Sequence, residues 1–289
     1  MSIANKARVI AFYLPQFHPI PENDKWWMKG FTEWTNVGKA RPLFAGHYQP
    51  KVPADLGYYD LRVPETRKAQ ADMAREYGIE GFCYWHYWFG NGKRLLERPF
   101  NEVLASGEPD FPFCLAWANE SWRGFFHGVK TKETLITQLY PGKDDYIEHF
   151  NEVLPALKDH RYITVEGKPI FVIYQPFDHP EMKEFIELWQ NLAKQNGLKG
   201  IHFIGHTYNL AKDRIELMRM GFDAINVVRL FDFEKKARFT YECAKWRHKI
   251  FRTPKIVEYK KASSFFVGEE EYDKEIIPTI IPNWDHSPR

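Results

Sequence analysis

Short apolar runs alternate with longer amphipathic stretches along most of the chain. The first run, residues 9–14, is closed by Pro15 and reads as a buried strand. After a long insertion, residues 64–77 have helical periodicity with Pro64 at the first turn. The pattern then repeats. Strands are predicted at 81–87, 113–117, 170–174, 201–205 and 224–228, with helices at about 92–105, 144–157, 180–196, 212–220 and 234–249. A last apolar run at 276–282 is interrupted by Pro278, and residues 255–259 read as a short extra strand.

Strand and helix repeated at this spacing predict an α/β fold with a parallel sheet under covering helices. Two layouts fit that alternation: a closed (β/α)8 barrel and an open doubly wound sheet. The nucleotide cradles usual in open sheets are missing, since no Gly-x-Gly-x-x-Gly follows the first strand and no Gly-x-x-x-x-Gly-Lys-Ser/Thr occurs. The loops after the early strands instead carry Gln16, His18, His86, Asn119, Glu120 and Arg123. In a barrel those loops meet at one mouth, where residues from different strands reach one ligand. The barrel is therefore the expected fold, as one domain over residues 1–289. Seven strands are evident and an eighth is not, so the barrel is expected to be incomplete there. Either 255–259 helps to close it, or a partner or a missing C-terminal segment covers the open edge.

Composition narrows the function. Forty Lys and Arg against 38 Asp and Glu give a net charge of +2, so no global field holds nucleic acid or an anionic membrane, although local patches are compatible with it. The basic stretch at 245–252 is one such patch, read most simply as a solvated helix face. Residues 9–14 are too short for a membrane span or a signal-peptide core. Cys83, Cys114 and Cys243 share no metal-ligand spacing and fit a reducing compartment, so a cytoplasmic location without metal or other cofactor is expected. Aromatic residues make up 17% of the chain, including 10 Trp and 15 Tyr. Flat rings with a polar edge suit sugar faces, and also suit any wet aromatic cleft.

Candidate chemistry sits near the strand ends. Glu120, in Ala118-Asn-Glu-Ser-Trp122, lies where glycosidase carboxylates are found, or is a plain exposed loop glutamate. Asn119 is placed to bond a hydroxyl, and Trp117 to form a platform or to pack. Glu33 lies between Trp26, Trp27 and Trp34 in a long excursion, with ligand contact and helix capping as its two readings. Asp285, beside Trp284, is a third candidate carboxylate. His18, His86 and His206 end or follow strands without the close spacing of a metalloprotease; bonds to sugar hydroxyls explain them as well as a metal does, and bonds within the protein explain them better. Tyr13, Gln16, Trp34, Tyr84 and Tyr208 complete the candidate binding set. Glycosidases need a carboxylate pair at a defined separation, and Glu120 with Glu33 or with Asp285 are the pairings open to this chain.

Five segments together resemble one family: Ala11-Phe-Tyr-Leu-Pro-Gln-Phe-His18, Lys29-Gly-Phe-Thr-Glu-Trp-Thr-Asn-Val37, Gly81-Phe-Cys-Tyr-Trp-His-Tyr-Trp88, Trp117-Ala-Asn-Glu120 and Pro282-Asn-Trp-Asp285. They look like the WbsX-type proteins, which are glycoside hydrolase family 99-like, often encoded with polysaccharide or O-antigen synthesis genes and frequently labelled glycosyltransferases. The match runs from about residue 8 to the last residue. It implies a (β/α)8 barrel acting on a glycan. Family 99 members are retaining endo-acting α-mannosidases in which one glutamate deprotonates the substrate 2-hydroxyl and a second protonates the leaving oxygen. Both lie in a Glu-Trp-x-Glu-like segment at the final strand, which this sequence lacks after Asp285; its Glu33-Trp34 is followed by Thr35 and Asn36. Three functions are carried forward: glycan processing, sugar-nucleotide-dependent glycosyl transfer, and noncatalytic binding of an oligosaccharide or polysaccharide.

Overall fold

A computed structural model describes residues 7–124, 133–233, 238–251, 254, 256 and 258–282. Its frame is seven parallel strands: β1 (Ile10–Tyr13), β2 (Gly81–Trp88), β3 (Phe113–Trp117), β4 (Lys168–Ile173), β5 (His202–Thr207), β6 (Ala224–Val227) and β7 (Ile276–Pro278). Each strand is hydrogen-bonded to the next in chain order. A doubly wound sheet reverses its strand order at a switch point, and no reversal occurs here. The sheet therefore curls in one sense into a half-barrel, open between β1 and β7, which do not pair among the described residues.

Helices cover the convex face. They are α3 (Pro64–Glu76), α4 (Arg98–Ser106), α5 (Lys143–Leu157), α6 (Met182–Gln195) and α7 (Leu210–Met220), while α1 (Pro21–Trp26) and α2 (Glu33–Lys39) lie in the excursion after β1. Further along, α8 (Arg238–Phe251) and α9 (Tyr259–Ser263) follow β6. Pro64 opens α3 from an extended Val63, a position where its missing N–H costs no helical bond. In α5, Asp144 and Asp145 sit at the positive end of the helix dipole.

Two expected elements differ. The helix expected at 92–105 begins only at Arg98, because Asn91, Gly92 and Leu96 all have positive φ and Arg94–Leu95 pairs antiparallel with β2. The extra strand expected at 255–259 is not seen among the described residues: Tyr259 opens α9, and residues 255 and 257 lie outside the described set.

Register decides which side chains face inward. Phe82, Tyr84 and His86 of β2 align with Phe113, Leu115 and Trp117 of β3, and the last two of these with Phe171 and Ile173 of β4. This set points to the helices, where Phe113, Phe150, Phe171, Phe185, Trp189 and Phe203 form the fully buried centre of the core. By the two-residue alternation of a strand, the intervening positions face the concave side. Small and aliphatic residues fill its floor, including Cys83, Cys114, Ala116, Val172, Ile204 and Ala224. Gly81 begins β2 where the chain of Pro112 passes close: a Cβ there would lie 2.4 Å from the Pro112 carbonyl oxygen.

Candidate functional site

The concave face carries a continuous strip of aromatic rings contributed by five strands and their exits. Phe12 of β1 stacks on Trp85 of β2 at 4.9 Å between centroids, and Trp85 meets Tyr174, just past β4, edge-on at 5.4 Å. Tyr174 lies 5.1 Å from the ring of His206 in β5, His206 lies 5.0 Å from Tyr208, and Tyr208 lies 5.9 Å from Phe231 beyond β6. Phe12, Tyr208 and Phe231 are exposed and Trp85 is half-buried. Large rings left in water on a concave surface form a ready platform for the C–H faces of a sugar.

A polar group sits against this strip. Asn226 of β6 donates through Nδ2 to the Thr279 hydroxyl at 2.8 Å and to the Ile277 carbonyl at 3.3 Å. A carbonyl only accepts, so these bonds fix the amide and turn Oδ1 toward His206 Nδ1, 2.8 Å away. His206 therefore carries its proton on Nδ1. Burial holds the ring's pKa below the ordinary histidine value, against the opposing pull of Asn226, so the ring is neutral. Its Nε2 is buried and has no hydrogen-bond partner. The hydroxyls of Tyr174 and Tyr208 meet at 3.4 Å beside it.

Glu120 stands at the rim with its side chain exposed, as the plain loop-glutamate reading expects. Desolvation raises its carboxyl pKa above the usual glutamate range, and the negative charge of Asp178 adds to the rise. Burial, followed by the Tyr208 hydroxyl, raises the pKa of the Tyr174 phenol, and the charge of Glu120 adds to the rise. The segment is held from behind by Asn119, which is fully buried. Its Oδ1 accepts from the Gln175 N–H at 2.8 Å, while Nδ2 donates to the Gln175 carbonyl at 2.8 Å and to Tyr140 Oη at 3.1 Å. Asn119 thus clamps the exits of β3 and β4 and positions Glu120.

The other sequence candidates fall elsewhere. Tyr13, Tyr84, His86 and Trp117 point to the helical side: Tyr13 Oη donates to Gln70 of α3 at 2.6 Å, Tyr84 packs on Phe100 of α4, and Trp117 packs on His149 and Phe185. His86 Nε2 lies 2.8 Å from His149 Nε2, and burial pushes the His86 pKa down to about 3. Gln16, His18, Glu33 and Trp34 are held in the excursion. The Glu33 N–H donates to the Gln16 carbonyl at 3.3 Å, and its carboxylate accepts from Asn36 Nδ2 at 3.4 Å. Capping of α2 belongs to Thr32, whose hydroxyl accepts from the Trp34 N–H. Trp34 Nε1 donates to the Tyr59 carbonyl at 2.7 Å, and burial lowers the pKa of His18. Trp26 and Trp27 pack against a satellite core around Tyr87 and Trp122. Trp284 and Asp285 lie outside the described residues. His206 and Tyr208 join the strip; Phe12, Trp85, Tyr174, Asn226 and Phe231 were not singled out by sequence. Phe12, Trp85 and Asn226 share one strand parity, but apolar residues on both faces of these strands leave that parity unmarked in the sequence.

No group of three or more metal-ligating side chains occurs among the described residues. Cys83 and Cys114 are buried free thiols in register on β2 and β3, and Cys243 is exposed.

A sequence profile of the family described as "Glycosyltransferase WbsX" matches residues 9–289. Proteins of two strains of Xanthomonas campestris pv. campestris, each named "Uncharacterized protein WxcX", are 37% identical over 288 residues, covering 98% of this chain. The chain spans 39% of the length of these relatives. Among solved structures, the GH99 endo-alpha-mannosidase from Bacteroides thetaiotaomicron superposes with a TM-score of 0.50 at 14% identity, over 84% of this chain and 66% of that one. A "Glycoside hydrolase-like protein" superposes with a TM-score of 0.51 at 14% identity, over 88% and 71%. At that identity the likeness concerns the fold.

Proposed function

The chain belongs to the WbsX glycosyltransferase family, and on that premise we propose that it binds a glycan along the aromatic strip of its concave face, with Glu120 as the proton-transfer group at the rim. One observation carries this reading: the unbroken ring path from Phe12 to Phe231 runs past an unpaired, neutral acceptor at His206 Nε2. Rings contact the apolar face of a sugar, while His206 Nε2 and the two tyrosine hydroxyls take its hydroxyl groups. A carboxyl held above its usual pKa stays protonated nearer to neutrality and can give its proton to a glycosidic oxygen. Of the two candidate carboxylates among the described residues, Glu120 is the one beside the strip, and Asp178 is the acidic neighbour that acts on it.

Because the solved neighbour named above is an endo-alpha-mannosidase, α-mannosides are the first substrates to test. Titration calorimetry with α-mannooligosaccharides should detect binding that Trp85→Ala weakens about tenfold, the scale of one lost aromatic stacking contact. Binding unchanged in Trp85→Ala would remove the strip from the reading. Product analysis then separates the chemistry: Glu120→Gln should keep affinity and lose turnover. The family description favours transfer from a sugar nucleotide as the second reading. It requires that a nucleoside diphosphate sugar bind and that the product carry the new sugar on an acceptor.

A further inference from the structure

The weak net charge of the chain conceals a concentrated basic segment. Ten of its forty Lys and Arg fall between residues 235 and 261 beside two acidic residues, leaving thirty cations against thirty-six acids elsewhere. The described part of this segment is dominated by α8, and from Glu242 to Phe251 every residue whose burial is described is exposed. Cys243, Trp246 and Ile250 recur at intervals of three and four, so they share one side of the helix. Trp246 is 62% exposed, Ile250 50% and the adjoining Phe251 65%, which leaves this apolar ridge without cover from the barrel. Arg247 and Lys249 flank the ridge and make no ion pair among the described residues, while Lys245 pairs with Glu242 and lies over the Tyr241 ring.

We propose that α8 seats the protein on an anionic lipid surface, with Trp246 and Ile250 entering the headgroup boundary and Arg247 and Lys249 meeting lipid phosphates. Charge complementarity selects this occupant. Interfacial helices pair a Trp, Phe or aliphatic ridge with flanking Lys and Arg, and juxtamembrane cations gain from the negative surface potential of anionic lipids. Nucleic acid would satisfy the cations and leave the ridge in water. A second copy of α8 would bury the ridge while bringing like charges together. At about 1.5 Å per residue the fourteen-residue helix is roughly 21 Å long and would lie in the plane of the interface. No described helix is long and apolar enough to cross a membrane, in keeping with surface seating. The inference is independent of the glycan reading.

The test is vesicle flotation of the 289-residue protein. It should float with phosphatidylglycerol-containing vesicles, stay behind with pure phosphatidylcholine, and be released by salt. Trp246→Glu with Ile250→Glu, and separately Arg247→Glu with Lys249→Glu, should each weaken partitioning at least about tenfold without moving the melting temperature. Absence of flotation, equal binding to phosphatidylcholine, or binding unchanged in both variants would overturn the proposal. So would dimerisation through the ridge or DNA binding, if either appeared without vesicle binding.

Discussion

Asn226→Ala is the substitution that probes the site most directly. The Asn226 amide holds three strands together, accepting from His206 of β5 and donating to Ile277 of β7 and to Thr279 just beyond it. Alanine removes three hydrogen bonds, each worth about 0.5–1.5 kcal/mol net, and leaves the buried His206 Nδ1–H without an acceptor. Partial relaxation of Thr279 toward solvent recovers some of this, so the expected loss is about 2–4 kcal/mol. For a chain of this size that lowers the melting temperature by roughly 3–7 °C. The same change frees the histidine tautomer. Long-range ¹H–¹⁵N spectra of the wild-type ring should show Nδ1 protonated and Nε2 bare, and Asn226→Ala should mix the two forms. Glycan affinity should fall with it, since a proton on Nε2 turns the proposed acceptor into a donor. A wild-type ring protonated on Nε2, or a stability loss below about 1 kcal/mol, would refute the bridge as the device that sets His206.

Three further outcomes are expected. Glu120 has a raised carboxyl pKa in the fold, so its ionisation destabilises the native state as pH rises through that pKa; Glu120→Gln should melt higher than wild type at pH 7, and the gap should close in the acid range where both are neutral. His86 runs the opposite way. Its pKa falls from 6.5 unfolded to about 3 folded, so its contribution is complete above pH 6.5 and is lost as pH falls toward 3; the acid slope of a denaturant titration should flatten in His86→Gln. Gly81→Ala places a methyl 2.4 Å from the Pro112 carbonyl oxygen and 2.8 Å from Ile163 Cδ1, so urea unfolding should show a loss of about 1–3 kcal/mol; no loss would mean that the β2 start is looser than described.

The aromatic strip shows where sequence reading stops. The β2 segment Gly81-Phe-Cys-Tyr-Trp-His-Tyr-Trp88 is apolar or aromatic on both faces, so alternation marks a strand without saying which parity faces the ligand. Tyr84 and His86 were as eligible as Trp85, and a one-residue choice sent them to the helical side. The same applies to Tyr13 against Phe12 in β1. The sequence marks Asn119 but not its manner of working: it acts through Gln175 and Tyr140, 56 and 21 residues away, and no local pattern encodes those partners.

The order and parallel direction of the seven strands, their covering helices and the placement of Glu120 past β3 follow from the sequence alone, because hydrophobic period and turn chemistry are local properties of the chain. The concave strip, the tautomer of His206 and the clamp behind Glu120 were decided by tertiary structure. Each depends on which face of a two-sided strand meets the helices and on partners twenty or more residues apart, and that choice is made by the packing of the whole sheet.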